Sequence, residues 1–259
     1  MSDDAQQICQ AGYESAYQAM LGLIKEADTA DRLLVACWQG MEGLDASIMG
    51  AQRMVDAETA CGAGCSFCCS LRIDVRAHEV FAMVRSLKAN RTDEELETIR
   101  RGALAVSERV GEMTDAERNA SSIPCVLLMD GLCSVYDARP LACRRYFSAS
   151  VEKCMELKAD PGAAAEIENP FVQGFGRHVA NGVNNAFVRN GFDPYLYDLP
   201  SALFEALEDP MREQRWFARM KAFSEEAESK VPEGFSQREA VAKLLAALPP
   251  QEDDEGVAG

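Results

Sequence analysis

The chain has 259 residues, a net charge of −16 and ten cysteines. A chain of this length buries a core without covalent or metal help, so the cysteines need another reason. Phosphate surfaces attract basic patches, and the acidic balance therefore argues against nucleic acid or anionic membrane as the main partner.

The N-terminus, Met1-Ser2-Asp3-Asp4, has neither the basic nor the apolar stretch of a secretory signal. No apolar run approaches the ~20 residues that span a bilayer. The expected location is cytoplasmic. Thiols stay reduced there, and cysteines serve as metal ligands or reactive groups before they serve as disulfides.

Apolar side chains at helical spacing predict helices over 3–27 (Ile8, Ala16, Met20, Leu23, Ile24) and 31–57 (Leu33, Leu34, Met41, Leu44, Ile48). Cys9 and Cys37 fall inside these helices and read as small buried hydrophobes. The pattern then breaks at Cys61-Gly-Ala-Gly-Cys65-Ser-Phe-Cys68-Cys69-Ser70, a loop whose two glycines permit tight bends. Residues 71–75 alternate and suggest a short strand, and a helix is expected over about 77–89. Thr92 with Glu95 forms a capping box that opens a helix running to about 112. Residues 113–122 are polar and read as loop. Asp130-Gly131 between apolar runs predicts a hairpin, and Arg139-Pro140 a short helix carrying Cys143. Asn169-Pro170 and Gly191 bracket a helix over 170–190. Asp209-Pro210 starts another, and Ser236 with Glu239 a last one ending near Leu248.

The expected fold is mainly α, a single helical domain with small β-hairpin elements around a cysteine-held metal centre. An N-terminal helical arm (1–57) precedes the cysteine-cluster core (58–160). A C-terminal helical region (161–248) and a disordered acidic tail (249–259) follow.

Cysteine spacing carries the functional reading. Cys61-x3-Cys65-x2-Cys68-Cys69 forms one group, and Cys125-x7-Cys133-x9-Cys143 a second, with Cys154 trailing it. No histidine adjoins either group, so the expected ligands, Cys61, Cys65, Cys68, Cys69, Cys125, Cys133 and Cys143, are all thiolates. Soft thiolates select zinc, Cu(I) and iron–sulfur clusters. Four of them close a zinc site or hold a [4Fe-4S] cube. Adjacent side chains diverge, so Cys68 and Cys69 are expected to split between a ligand and another role. Arg72, Arg76, Arg139, Arg144 and Arg145 crowd the two groups in an otherwise acidic chain, and cations there would offset thiolate charge. Arg139 and Arg144 are the two expected to be buried.

Cys65-x2-Cys68-Cys69, Cys125-Val-Leu-Leu, Cys133-Ser-Val-Tyr136 and Arg139-Pro140-Leu-Ala-Cys143-Arg144 together resemble the YkgJ-type cysteine-cluster family, described as zinc- or iron-chelating. The resemblance covers about residues 61–147 and implies a metal-binding core with these cysteines as ligands. A relative with the same pattern is the flagellin lysine-N-methylase, which implies that such a domain can serve modification of a protein or peptide substrate. Cys61-x3-Cys65-Ser-Phe67-Cys68 also fits the short signature of radical S-adenosylmethionine enzymes, although that motif normally follows the first strand of a βα barrel. The leading expectation is an iron–sulfur cluster, [4Fe-4S]. The alternatives are structural zinc beneath an interaction surface, or an S-adenosylmethionine-using enzyme with an open iron site.

Two histidines remain. His78, beside Glu79 at a helix start, reads as a cap or a surface residue, with a metal ligand or a donor to the centre as the alternative. His178, Asn181 and Asn185 share one helix face, and Gly174 and Gly182 allow close approach there. This makes His178 and Asn181 candidates for a substrate- or cluster-facing surface. The alternative is a polar helix packed at a seam.

Overall fold

The computed structural model describes residues 2–62, 64–111, 113–160, 169–231 and 234–248. The acidic tail expected over 249–259 lies outside them. Eleven α-helices and two short antiparallel strand pairs are present among the described residues. None of these helices is long and apolar enough to cross a membrane.

The long N-terminal helices form as their periodicity predicts. α1 (Asp3–Glu26) is capped by Ser2 and α2 (Ala30–Met54) by Thr29, whose hydroxyl accepts from the Arg32 amide. Cys9 and Cys37 are buried in them. α8 (Pro170–Arg189) starts at Asn169, whose side chain accepts from two amides, and ends before Gly191 in the left-handed region. α1 lies along α8. A Cβ on Gly182 would meet the Tyr13 carbonyl oxygen at 2.5 Å, so glycine lets the two backbones touch.

α3 (Ala77–Asn90) is buried without interruption from Ala77 to Val84 and is the central helix of the core. α4 (Asp93–Val110), opened by the predicted Thr92–Glu95 capping box, packs on α9 (Leu199–Glu208). Phe81, Phe187, Phe192, Trp216 and Phe223 form an aromatic cluster beside it. Trp216 comes from α10 (Met211–Phe217), which starts after Asp209-Pro210 as expected. α11 (Gln237–Ala247) is capped by Ser236. Buried residues from both flanking segments and the cysteine-rich middle belong to one hydrophobic core.

The expected strand over 71–75 is shorter. β1 (Asp74–Val75) pairs with β4 (Tyr197–Asp198), with Val75 opposite Tyr197. β2 (Leu128–Met129) and β3 (Leu132–Cys133) form the predicted hairpin, with Asp130 and Gly131 both at positive φ as a two-residue turn requires. The polar stretch 113–122 is not all loop. It contains α5 (Asp115–Ala120), opened by a second capping box, Thr114 with Glu117. α6 (Leu141–Arg145) and α7 (Val151–Ala159) complete the cysteine-rich middle.

Candidate metal centre

The first cysteine group is a series of tight turns. The Cys65 amide donates to Gly62 O, that of Cys69 to Ser66 O and that of Leu71 to Cys68 O, each at 3.1 Å. Gly64 has φ +88°, a conformation that a side chain would strain. The second group is brought to it by main chain and by two buried ionisable side chains. Cys125 donates its amide to the Cys69 carbonyl at 2.6 Å. Arg118 of α5 donates to both Ser70 O and Ile123 O at 3.2 Å, binding the end of the first group to the segment leading into Cys125. Glu79 of α3 accepts the Leu141 amide at 2.7 Å, which fixes the start of α6 and so the position of Cys143. Burial raises the Glu79 pKa.

The result is a cavity of about 330 Å³ lined by Cys61, Cys65, Cys68, Cys69, Cys125, Cys133 and Cys143. All seven sequence-predicted thiols face one space, although they come from four separate segments. Cys125 and Cys143 lie deepest. Burial raises the first thiol to about 11 and holds the second well above the usual value, with neighbouring cysteines adding to the effect. Burial also raises Cys133 and Cys61. Cys68 and Cys69 do not diverge. They share a side-chain hydrogen bond, which raises the Cys68 pKa and lowers that of Cys69.

Cys61 stands at the outer edge. Its sulfur accepts the Ser148 amide at 3.1 Å. Cys154, on α7, does not line this cavity. It borders a neighbouring one of about 160 Å³, which shares Cys68 and includes Phe67 and Lys158. Among the described residues, no three of His, Cys, Asp and Glu converge on a single ion-sized point.

Of the five flanking arginines, Arg139 and Arg144 line the cavity, whereas Arg72, Arg76 and Arg145 do not. Arg144 is buried, its side chain 3% exposed, and it pairs with Asp45 of α2. It also donates to the Asp137 carbonyl, and to that of Arg139 at 2.8 Å. Arg139 is half-buried and sits over the Tyr136 ring at 4.1 Å. Arg72 turns to Asp74 and the Lys230 carbonyl, and Arg76 to that of Pro194.

Neither histidine reaches the cavity. His78 is buried, with its ring stacked on Phe187 at 4.0 Å, and is neither cap nor surface residue. His178 bonds through Nδ1 to Gly174 O at 2.8 Å, Asn181 is exposed, and Asn185 donates to the Tyr13 hydroxyl at 3.2 Å. The polar face of α8 thus packs partly on α1 and does not line the cysteine cavity. The residues that sequence reasoning missed are Asp45, Glu79, Arg118 and Ser148. Thr114-x2-Glu117 was the available signal for the helix that carries Arg118.

The chain's short Cys-x3-Cys-x-Phe-Cys signature follows helix α2, and the strands among the described residues form only two-stranded antiparallel pairs. The βα-barrel setting of radical S-adenosylmethionine enzymes is therefore not seen among them. Residues 60–161 match the family model CxxCxxCC, described as "Putative zinc- or iron-chelating domain". The spelling of that name is met from Cys65 onward, whereas the first interval, Cys61 to Cys65, is one residue longer. No curated protein and no solved structure matches the chain.

Proposed function

We propose that the domain matched over residues 60–161 holds an iron–sulfur cluster, [4Fe-4S], with its four ligands drawn from Cys68, Cys69, Cys125, Cys133 and Cys143. The observation that carries this reading is the convergence of thiols from separate segments on one cavity. The donor set fits the group, because it is all sulfur and soft. When bound, a cluster of this kind supplies electron transfer or, at an open iron, a Lewis acid.

The chain's own residues hold and tune the site. Arg144 and Arg139, which line the cavity, offset the charge of the thiolates. Clustered cysteines that serve as metal ligands belong to a reducing compartment, and the cytoplasm is the location that fits this reading. Modification of a protein or peptide is the activity that such a centre would serve.

The deciding measurement is metal and acid-labile sulfide content, with a visible spectrum, on protein purified without oxygen. Iron and sulfide near about four per chain, with broad absorption near about 400 nm, are expected. Zinc without sulfide would overturn the cluster in favour of a structural metal.

A further inference from the structure

The cavity has two kinds of wall. Thiols form one. The other is a face of α2 made by Asp45, Ile48, Met49 and Gln52, at i, i+3, i+4 and i+7, and continued by Leu127 and Val135. It offers no thiol. Structural metal sites are closed by their ligands, whereas sites that act on another molecule keep one side open. The α2 face is largely apolar, and Met49 stands at its rim, 54% exposed.

One cation on this cavity has hydrogen-bonding capacity to spare. Arg144 is committed to Asp45 and to two carbonyls. Arg139 has a buried Nε with no hydrogen-bond partner. Its carboxylate neighbour is Asp45 Oδ1 at 3.9 Å, beyond hydrogen-bond reach, and the other Asp45 oxygen is held by Arg144. The Tyr136 ring under the guanidinium fixes its plane and leaves its edge donors available. Nε is enclosed, and the side chain is 24% exposed, so the Nη donors are the ones a ligand in the cavity would meet.

We infer that the space between the thiols and α2 is a binding site for a small organic carboxylate with an apolar body. Arg139 pairs with the carboxylate, and Ile48, Met49 and Leu127 cover the apolar part. This deepens the reading above, since it places such a ligand beside the proposed centre.

The test uses metal-loaded protein, with metal content measured first, and three probes of equal length: hexanoate, hexanol and hexylamine. Calorimetric titration should show hexanoate binding roughly tenfold more tightly than hexanol, as expected of a hydrogen bond to a charged group, and no binding of hexylamine. Arg139→Gln should erase the preference for the carboxylate. Met49→Trp, which fills the rim, should weaken hexanoate and hexanol alike without changing metal content. Equal affinity for hexanoate and hexanol, absence of binding, or hexanoate affinity unchanged in both variants would overturn the inference. A sample without metal would overturn the metal reading instead, and the same titration on that sample would still decide this one.

Discussion

The amide of Cys125 donates to the carbonyl of Cys69 at 2.6 Å, so the two cysteine groups are joined through main chain as well as through any shared metal. The thiols of these residues sit on one cavity, whereas Cys154 borders the next. Replacing an inner ligand should therefore empty the site, and replacing Cys154 should not. Cys125→Ser and Cys143→Ser are expected to lose most of the bound metal, while Cys154→Ser keeps it. Metal-to-protein ratios by atomic emission check this. Comparable loss from Cys154→Ser would show that the neighbouring cavity is part of the centre.

The contact of α1 with α8 depends on Gly182. A Cβ there would lie 2.5 Å from Tyr13 O and 3.0 Å from Tyr17 N, and both are backbone atoms that cannot rotate away. Gly182→Ala should cost about 2–3 kcal/mol, in the range of overpacked cores. Gly12→Ala meets the edge of the Phe175 ring at 2.6 Å, a side chain that can shift, and should cost less. Urea denaturation of the two variants measures the difference, and their metal content should match that of the parent.

What was legible in the sequence follows from the range of the interactions involved. Capping boxes, the Asp130-Gly131 turn and helical periodicity act within a few residues, and the elements they mark are present. The cysteine spacing singled out seven residues, and the fold places all seven along one cavity. Pairings across long separations were not readable. Nothing in Asp74-Val75 points to Tyr197-Asp198, and nothing in Asp45 points to Arg144. His78 was misjudged, and Glu79 passed over, for the same reason. Polar residues at a helix start normally face water, but here distant segments cover them: Phe187 of α8 stacks on His78, Cys37 of α2 reaches the His78 carbonyl, and Leu141 of α6 donates to Glu79. The face of α2 that walls the cavity reads in sequence as an ordinary helix, because its partner is a space rather than a neighbouring element.

Arg144 ties that helix to the cysteine core. Its pair with Asp45 joins a side chain 3% exposed to one 34% exposed, so the carboxylate keeps some access to water when the arginine is removed. The carbonyls of Arg139 and Asp137 lose their donor as well. Arg144→Ala is expected to destabilise by about 2–3 kcal/mol, less than a fully buried pair because of that access. Arg144→Lys should recover only part of this, since an ammonium lacks the planar fork that reaches three acceptors. Chemical denaturation gives both values. Full recovery by lysine would mean that charge alone matters at this position.

His78 should make stability depend on pH in a definite window. Its ring is buried against Phe187, with Asn184 and the Arg76 guanidinium nearby, and the Cys37 thiol donates to its carbonyl. Burial first, and Arg76 second, lower its pKa to about 3. The folded histidine therefore stays neutral where the unfolded one takes up a proton. Its contribution is complete above the unfolded value of about 6.5 and is lost as pH falls from there toward about 3, by up to about 1.4 kcal/mol per pH unit. Glu79 works the other way, because burial raises its pKa and its contribution is lost as pH rises through the folded value. Comparison with His78→Gln removes the Glu79 effect, which both proteins share. The stability difference between the parent and this variant, measured in urea from about pH 7 to about pH 5, should shrink as pH falls. A difference that stays flat across that range would show that His78 binds a proton in the fold as readily as in the unfolded chain, and would remove it from the buried core.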